Sequence, residues 1–212
     1  LNEADWYLSP TDVRSLNWTG VNALTSELAD KRFNKTPRLN NELLNRAKPS
    51  GTANGALKLL LHAMVLKEGV EGLGFTKFPA EKGLFVSLVE HNNLYQQVDG
   101  DWQFVAPEKN DPANLNPLWQ VARKFLSKDN NRSVQLTELY DVWRQAPYGV
   151  KDGVLPLLAV LFMITERSSL AYYREGIFLS AITDIDVDYL LKAPELIQVR
   201  WMDMSNTARK LL

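Results

Sequence analysis

From Val154 to Ile164 the chain reads V-L-P-L-L-A-V-L-F-M-I, without one polar side chain. A bilayer crossing takes about 20 such residues, so this run is too short to span a membrane. It is also apolar on nearly every side of a helix, and such a helix must be enclosed by other elements. Pro156 does not break it if Gly153 caps the helix, because the missing N–H then falls among the unpaired donors of the first turn. The second half of the chain is therefore expected to be built around this helix, which is too deeply enclosed to read a nucleic-acid groove.

The remaining elements follow from periodicity and punctuation. Helical spacing is read over Val21 to Phe33, through Leu24 and Leu28, and over Pro37 to Arg46, with Leu39, Leu43 and Leu44 turned inward and Pro37 as first residue. Ser50 is a natural N-cap for Ala53 to Lys67, whose Ala56, Leu57, Leu60, Leu61, Met64 and Val65 make a wide apolar face. Glycines at 69, 72 and 74 end that pattern, Pro79 to Asn92 reads as a further helix, and Leu94 to Ala106 alternates about Asp99-Gly100, a tight-turn pair. Pro107 to Pro117 has linker composition. Beyond it come helices at Leu118 to Ser127, Thr137 to Gln145 and Gly153 to Thr165, then a hairpin at Leu170 to Ile182 turning at Arg174-Glu175-Gly176. A helix from Asp184 to Lys192 capped by Thr183, and strands at Ser133 to Leu136 and Leu196 to Met202, complete the pattern. Helices followed by a hairpin occur twice. The expected architecture is α+β, predominantly helical, with tandem winged-helix-like modules and small β-hairpins. One module spans residues 1–110 with a leading segment, and the second spans 111–212.

Composition narrows the setting. With 45% hydrophobic and 23% charged residues the 212-residue chain is of ordinary globular type, neither disordered nor membrane-embedded. The absence of cysteine removes disulfides, thiolate nucleophiles and zinc–thiolate sites, and fits a reducing, cytoplasmic setting. Leu1 to Pro10 lacks the basic start of a signal peptide. A chain that begins without Met and has a helical pattern still running at Ala208 to Leu212 reads as an excised fragment of a larger protein.

No catalytic or metal-binding constellation emerges, so neither an enzyme nor a cofactor is expected. Asp184, Asp186, Asp188 and Glu195 fit positions 1, 3, 5 and 12 of a calcium loop, but Tyr189 stands where the sharp turn requires glycine. Acids at the start of a capped helix explain them better. Gly51 to Lys58 is spaced G-x-x-x-G-x-x-K, which is not a phosphate loop. His62 and His91 lack a paired-ligand pattern, and Glu81, Glu90 and Glu138 have no spacing that separates them from solvated faces. Trp102, Trp119, Trp143 and Trp201 read as core rather than as base-stacking platforms.

One stretch is different. Arg38, Arg46, Lys48 and Lys58, with Asn40, Asn41, Asn45 and Asn54 between them, combine phosphate-binding cations with amides suited to base edges. The net charge of −1 gives the chain no global basic character, so any contact with DNA must rest on this local face. Lys82, ahead of the first hairpin, and Lys109, after it, are weaker additions. The candidate nucleic-acid residues are therefore Arg38, Asn40, Arg46, Lys48, Asn54, Lys58 and Lys82.

Three further stretches carry a resemblance: P-R-L-N-N-E-L-L-N-R from Pro37 to Arg46, followed by Ser50, Ala53 and Ala56; P-A-E-K-G-L-F from Pro79; and A-P-Y-G-V-K-D-G-V-L-P from Ala146, with Tyr173 to Phe178 and L-K-A-P-E from Leu191. They are similar to segments of very large bacterial P-loop ATPases of phage-exclusion and genome-defence systems, and together they span most of residues 37–200. In those ATPases such segments lie outside the nucleotide-binding core. The resemblance implies an accessory region without ATP hydrolysis of its own, joined to the rest of a larger ATPase polypeptide or its partner subunits. The basic face then points to DNA as a further partner, the alternative is a protein–protein scaffolding module within the ATPase assembly, and no membrane partner is expected.

Overall fold

The computed structural model describes residues 4–9 and 12–202, and the helix expected over Ala208 to Leu212 lies outside them. The fold is α+β. It opens with a hairpin that periodicity did not reveal, β1 (Ala4–Ser9) against β2 (Asp12–Leu16), followed by α1 (Trp18–Arg32). The Asn17 side chain accepts from the Gly20 N–H and starts α1 three residues before the expected point. Only Leu24 of this helix is buried, while Trp18 and Leu28 are exposed.

Next, α2 (Gly51–Leu66) begins where the Ser50 hydroxyl accepts from the Ala53 N–H. Its buried face is Ala53, Ala56, Leu57, Leu60, Leu61, Ala63 and Met64. The helix α3 (Ala80–Phe85) passes into a wider π turn over Val86–Glu90, where the His91 N–H reaches back to Val86 O. β3 (Tyr95–Val98) and β4 (Asp101–Phe104) then pair about Asp99 and Gly100, both at positive φ, as the mirror-image hairpin turn requires. This hairpin sits at the far end of α2: the Gly69 N–H donates to the Tyr95 hydroxyl and the Phe104 N–H to Glu68.

The second half runs α4 (Asn116–Leu126), β5 (Val134–Gln135), α5 (Leu136–Arg144), α6 (Leu155–Thr165), β6 (Leu170–Arg174), β7 (Ile177–Leu179), α7 (Asp184–Lys192) and β8 (Ile197–Trp201). Its sheet has the order β5-β8-β6-β7, all antiparallel, so the last strand inserts between the first and the hairpin. α6 is enclosed as its composition demands, with Leu155 and every residue from Leu157 to Ile164 buried. Pro156 lies in its first turn, but the N-cap is Val154 rather than Gly153. Phe162 receives Trp119 and Trp143 edge-on, at ring-centroid distances of 5.8 and 6.1 Å. The Trp143 indole N–H donates to Leu118 O and that of Trp119 to Thr165 Oγ1. Trp102 and Trp201 pack half-buried against the same core.

Two expectations are corrected. Pro37 to Arg46 forms no helix; it is irregular to Asn41 and turns after it, where Asn41 Oδ1 accepts from the N–H groups of both Leu43 and Leu44. An asparagine side chain that competes for backbone donors stops helix propagation at its start. Leu39 and Leu44 are buried, but Leu43 is exposed. The segment of linker composition, Pro107 to Pro117, is also tied down. Pro107, Ala113 and Leu115 are buried, and the Asp111 carboxylate accepts from the N–H groups of Leu115 and Asn116. Buried residues from Leu39 to Phe104 and from Ala113 to Val199 belong to one continuous apolar cluster, joined where α2 packs on α6 and α7. Among the described residues, no helix is long and apolar enough to cross a membrane.

Candidate nucleic-acid interface

Residues 35–50 form an irregular strap that ties the two halves together. Its backbone N–H groups donate from Lys35 to Pro147 O and from Arg38 to Ala113 O, and its Arg46 carbonyl accepts from the Gly153 N–H at 2.9 Å. Leu39 and Leu44 anchor it in the core, and Asn41 Nδ2 reaches Ser87 Oγ in the π turn that follows α3. Gly153 is there for space: a Cβ on it would lie 2.3 Å from Leu44 O and 2.4 Å from Pro49 Cγ. The strap can lie this close to the start of α6 only over a glycine.

This packing fixes what the strap presents outward. From Lys35 to Lys58 the sequence carries five cations and one acid, Glu42. Arg38, Arg46 and Lys48 are exposed, and none of them has an ion-pair partner among the described residues. Two recesses flank the strap. One, of about 590 Å³, is lined by Leu39, Asn40, Asn41, Glu42, Asn45, Arg46 and Lys151. The other, of about 460 Å³, has Lys48, Asn54, Lys58 and Asp152 on its walls. The second recess adjoins the N-terminus of the 16-residue α2, whose first turn holds no acid, so its positive dipole end is uncompensated. Asp152 is engaged by Arg144 at 2.7 Å, which offsets the negative charge it brings to the wall.

Five of the expected residues therefore converge: Asn40 and Arg46 at one recess, Lys48, Asn54 and Lys58 at the other. Arg38 is exposed on the strap but lines neither. Lys82 does not join them. Its ammonium lies over the Phe78 ring, 4.3 Å from the centroid, and donates to Phe75 O. The face also lies at the opposite end of α2 from the β3–β4 hairpin; at 1.5 Å per residue the helix separates them by roughly 24 Å. The hairpin and the basic residues therefore stand at opposite ends of α2, not side by side as the winged-helix expectation had them. Lys151 was missed because nothing in local spacing connects it to the strap, where its Nζ donates to Asn45 O at 3.2 Å.

Lys58 differs from the other cations. Its Nζ lies 2.7 Å from Asp188 Oδ2 on α7, and the second oxygen of the same carboxylate is 2.8 Å from His62 Nε2, one helical turn along α2. The Lys58 hydrogen bond, with a smaller contribution from His62, holds the Asp188 carboxyl below its ordinary range. Of the other carboxylates that fit a calcium template, Asp186 is buried and accepts from the Thr183 N–H and hydroxyl and from Arg174, closing the N-terminus of α7.

A second surface is apolar. A cleft of about 680 Å³ opens between the C-terminal ends of α2 and α6 and the β6–β7 hairpin, with Met64, Val65, Ile164, Leu179 and Phe178 on its walls and the Glu68–Arg167 pair at 2.5 Å beside it. β7 is an edge strand, and its Ile177 and Phe178 are 70% and 62% exposed. No protein-family model matches the chain, and neither a curated protein nor a solved structure is significantly similar to it.

Proposed function

We propose that the chain is a non-catalytic accessory segment of a bacterial ATPase that contacts DNA through the strap and the start of α2. The observation that carries this reading is the concentration of five cations against one acid between Lys35 and Lys58, in a chain whose net charge is −1. Folding adds Lys151 to the group through Asn45 O and sets Lys48, Asn54 and Lys58 around the recess at the start of α2, while the acids it also brings in, Asp152 and Asp188, are engaged by Arg144 and by Lys58. Exposed cations without internal partners and helix N-terminal N–H groups are the groups that bind phosphate oxygens. The asparagines lining the recesses supply amides for base edges or sugars. α6 is enclosed and takes no direct part, so sequence discrimination is expected to be weak. The ATPase context rests on the resemblance of residues 37–200 to accessory regions of such enzymes, and the cytoplasm is the setting that follows from it.

A second reading, a protein-binding scaffold within the ATPase assembly, is favoured by the apolar cleft and the exposed Ile177 and Phe178 beside it. Fluorescence anisotropy with a labelled duplex separates the two. In the variant Arg46→Ala plus Lys48→Ala, affinity is expected to fall at every salt concentration, and the slope of log K against log salt to become shallower by about 2. No binding by the native chain at low salt, or identical binding by the double variant, would leave the scaffold reading in place of this one.

A further inference from the structure

We infer that Asp188 acts as an internal substitute for a DNA phosphate and holds Lys58 in reserve, so that the affinity of the basic face is set by α7 as well as by the strap. The inference rests on the DNA reading of this face and adds a regulatory contact to it. Lys58 lies on the wall of the same recess as Lys48 and Asn54, yet it alone among these is engaged by an acid, and that acid comes from an element 130 residues away. The carboxylate takes the Lys58 ammonium on one oxygen and His62 on the other. The charged groups to be weighed with it are Lys58 and His62 on α2, Lys48 and Asp152 on the walls of the recess that Lys58 also lines, Asp152 being held by Arg144, and Asp184, Asp186 and Lys192 on its own helix. Of these, only Lys58 and His62 touch it.

The geometry is that of a competitor. An ammonium presents three donors but one charge, and a carboxylate 2.7 Å away neutralises most of what a phosphate oxygen would feel. The pair is also easily exchanged, because both side chains are partly open to solvent, 41% for Lys58 and 33% for Asp188. Exposed pairs of this kind have small net stability in water, so an incoming phosphate can displace the carboxylate at modest cost. Any partner or modification that pulls α7 away from α2 would release Lys58 and strengthen DNA binding. A purely structural clamp between the two helices has no such consequence.

The test is anisotropy with a labelled duplex on the whole chain, with folding checked by circular dichroism. Asp188→Asn keeps the shape and one acceptor but removes the charge. It is expected to raise affinity about threefold to fivefold at moderate salt, the exchange equivalent of one exposed pair, and to steepen the salt slope by about 1. Lys58→Ala is then expected to cost several-fold more in the Asp188→Asn background than in the native chain, a coupling that a clamp would not produce. If Asp188→Asn does not fold, the comparison of single variants decides: Lys58→Ala should weaken binding less than either Arg46→Ala or Lys48→Ala. Unchanged affinity and slope in folded Asp188→Asn, or an equal loss in all three alanine variants, would overturn the inference while leaving the DNA reading standing. Loss of binding by the native chain would instead remove the reading on which it rests.

Discussion

Gly153→Ala is expected to lower the thermal midpoint by roughly 6 to 12 °C, which corresponds to about 3 kcal/mol in a chain of this size. The added methyl carbon would sit 2.3 Å from Leu44 O and 2.9 Å from Arg46 O, both backbone atoms of the strap, and 2.4 Å from the Pro49 ring. None of these is the free end of a flexible side chain. Relief requires the strap to lift, which breaks the Gly153 N–H to Arg46 O bond and loosens the seating of Leu44, a fully buried residue. The same variant is expected to bind DNA more weakly, because Arg46 and Lys48 would lose their fixed spacing. A midpoint within 2 °C of the native chain by differential scanning calorimetry would show that the strap does not lie against α6 in this way.

A larger loss is expected for Trp143→Ala, about 3 to 5 kcal/mol. Trp143 is fully buried where α4, α5 and α6 meet, bonded to Leu118 O and set edge-on to Phe162. Removing it leaves a void beside a ring that Trp119 supports from another side, and that second indole is itself bonded to Thr165 and cannot move to fill the space. Trp143→Phe keeps most of the volume and loses the N–H bond, so its cost is expected to be about 1 kcal/mol. Denaturant titration of the three proteins checks the order. Equal midpoints for the alanine and phenylalanine variants would mean that the void is not formed.

The same two positions mark how far the sequence was readable. The enclosure of α6 was legible because eleven consecutive apolar residues leave no other option. The caps at Ser50 and Thr183 and the Asp99-Gly100 turn were legible because each is a local exchange between neighbouring residues. The strap was not. Its leucines keep helical spacing, but Asn41 takes the amide protons that a helix would have used, and spacing carries no record of that competition. The four-stranded sheet was equally hidden, since β8 reaches its place between β5 and β6 by pairing with a strand more than 60 residues before it, Val134 opposite Val199.

The candidate face divides along the same line. Arg46, Lys48 and Asn54 stand out in the sequence by charge and composition and do converge around the strap. Lys151 and Asp188 could not be found this way, as each meets its partner more than 100 residues along the chain. Lys82 was attractive only while the first hairpin was expected beside the basic residues, and the length of α2 removes it.

If the strap and the start of α2 form one DNA-binding surface, bound DNA must shield its lysines, and lysine footprinting reads that shielding residue by residue. The native chain would be acetylated briefly with and without saturating duplex DNA, and each lysine read by mass spectrometry. Lys35, Lys48 and Lys151 are expected to lose reactivity when DNA is present, while the exposed Lys109, Lys124 and Lys128 keep theirs. Protection spread evenly over all six, or confined to the second set, would contradict a binding surface at the strap.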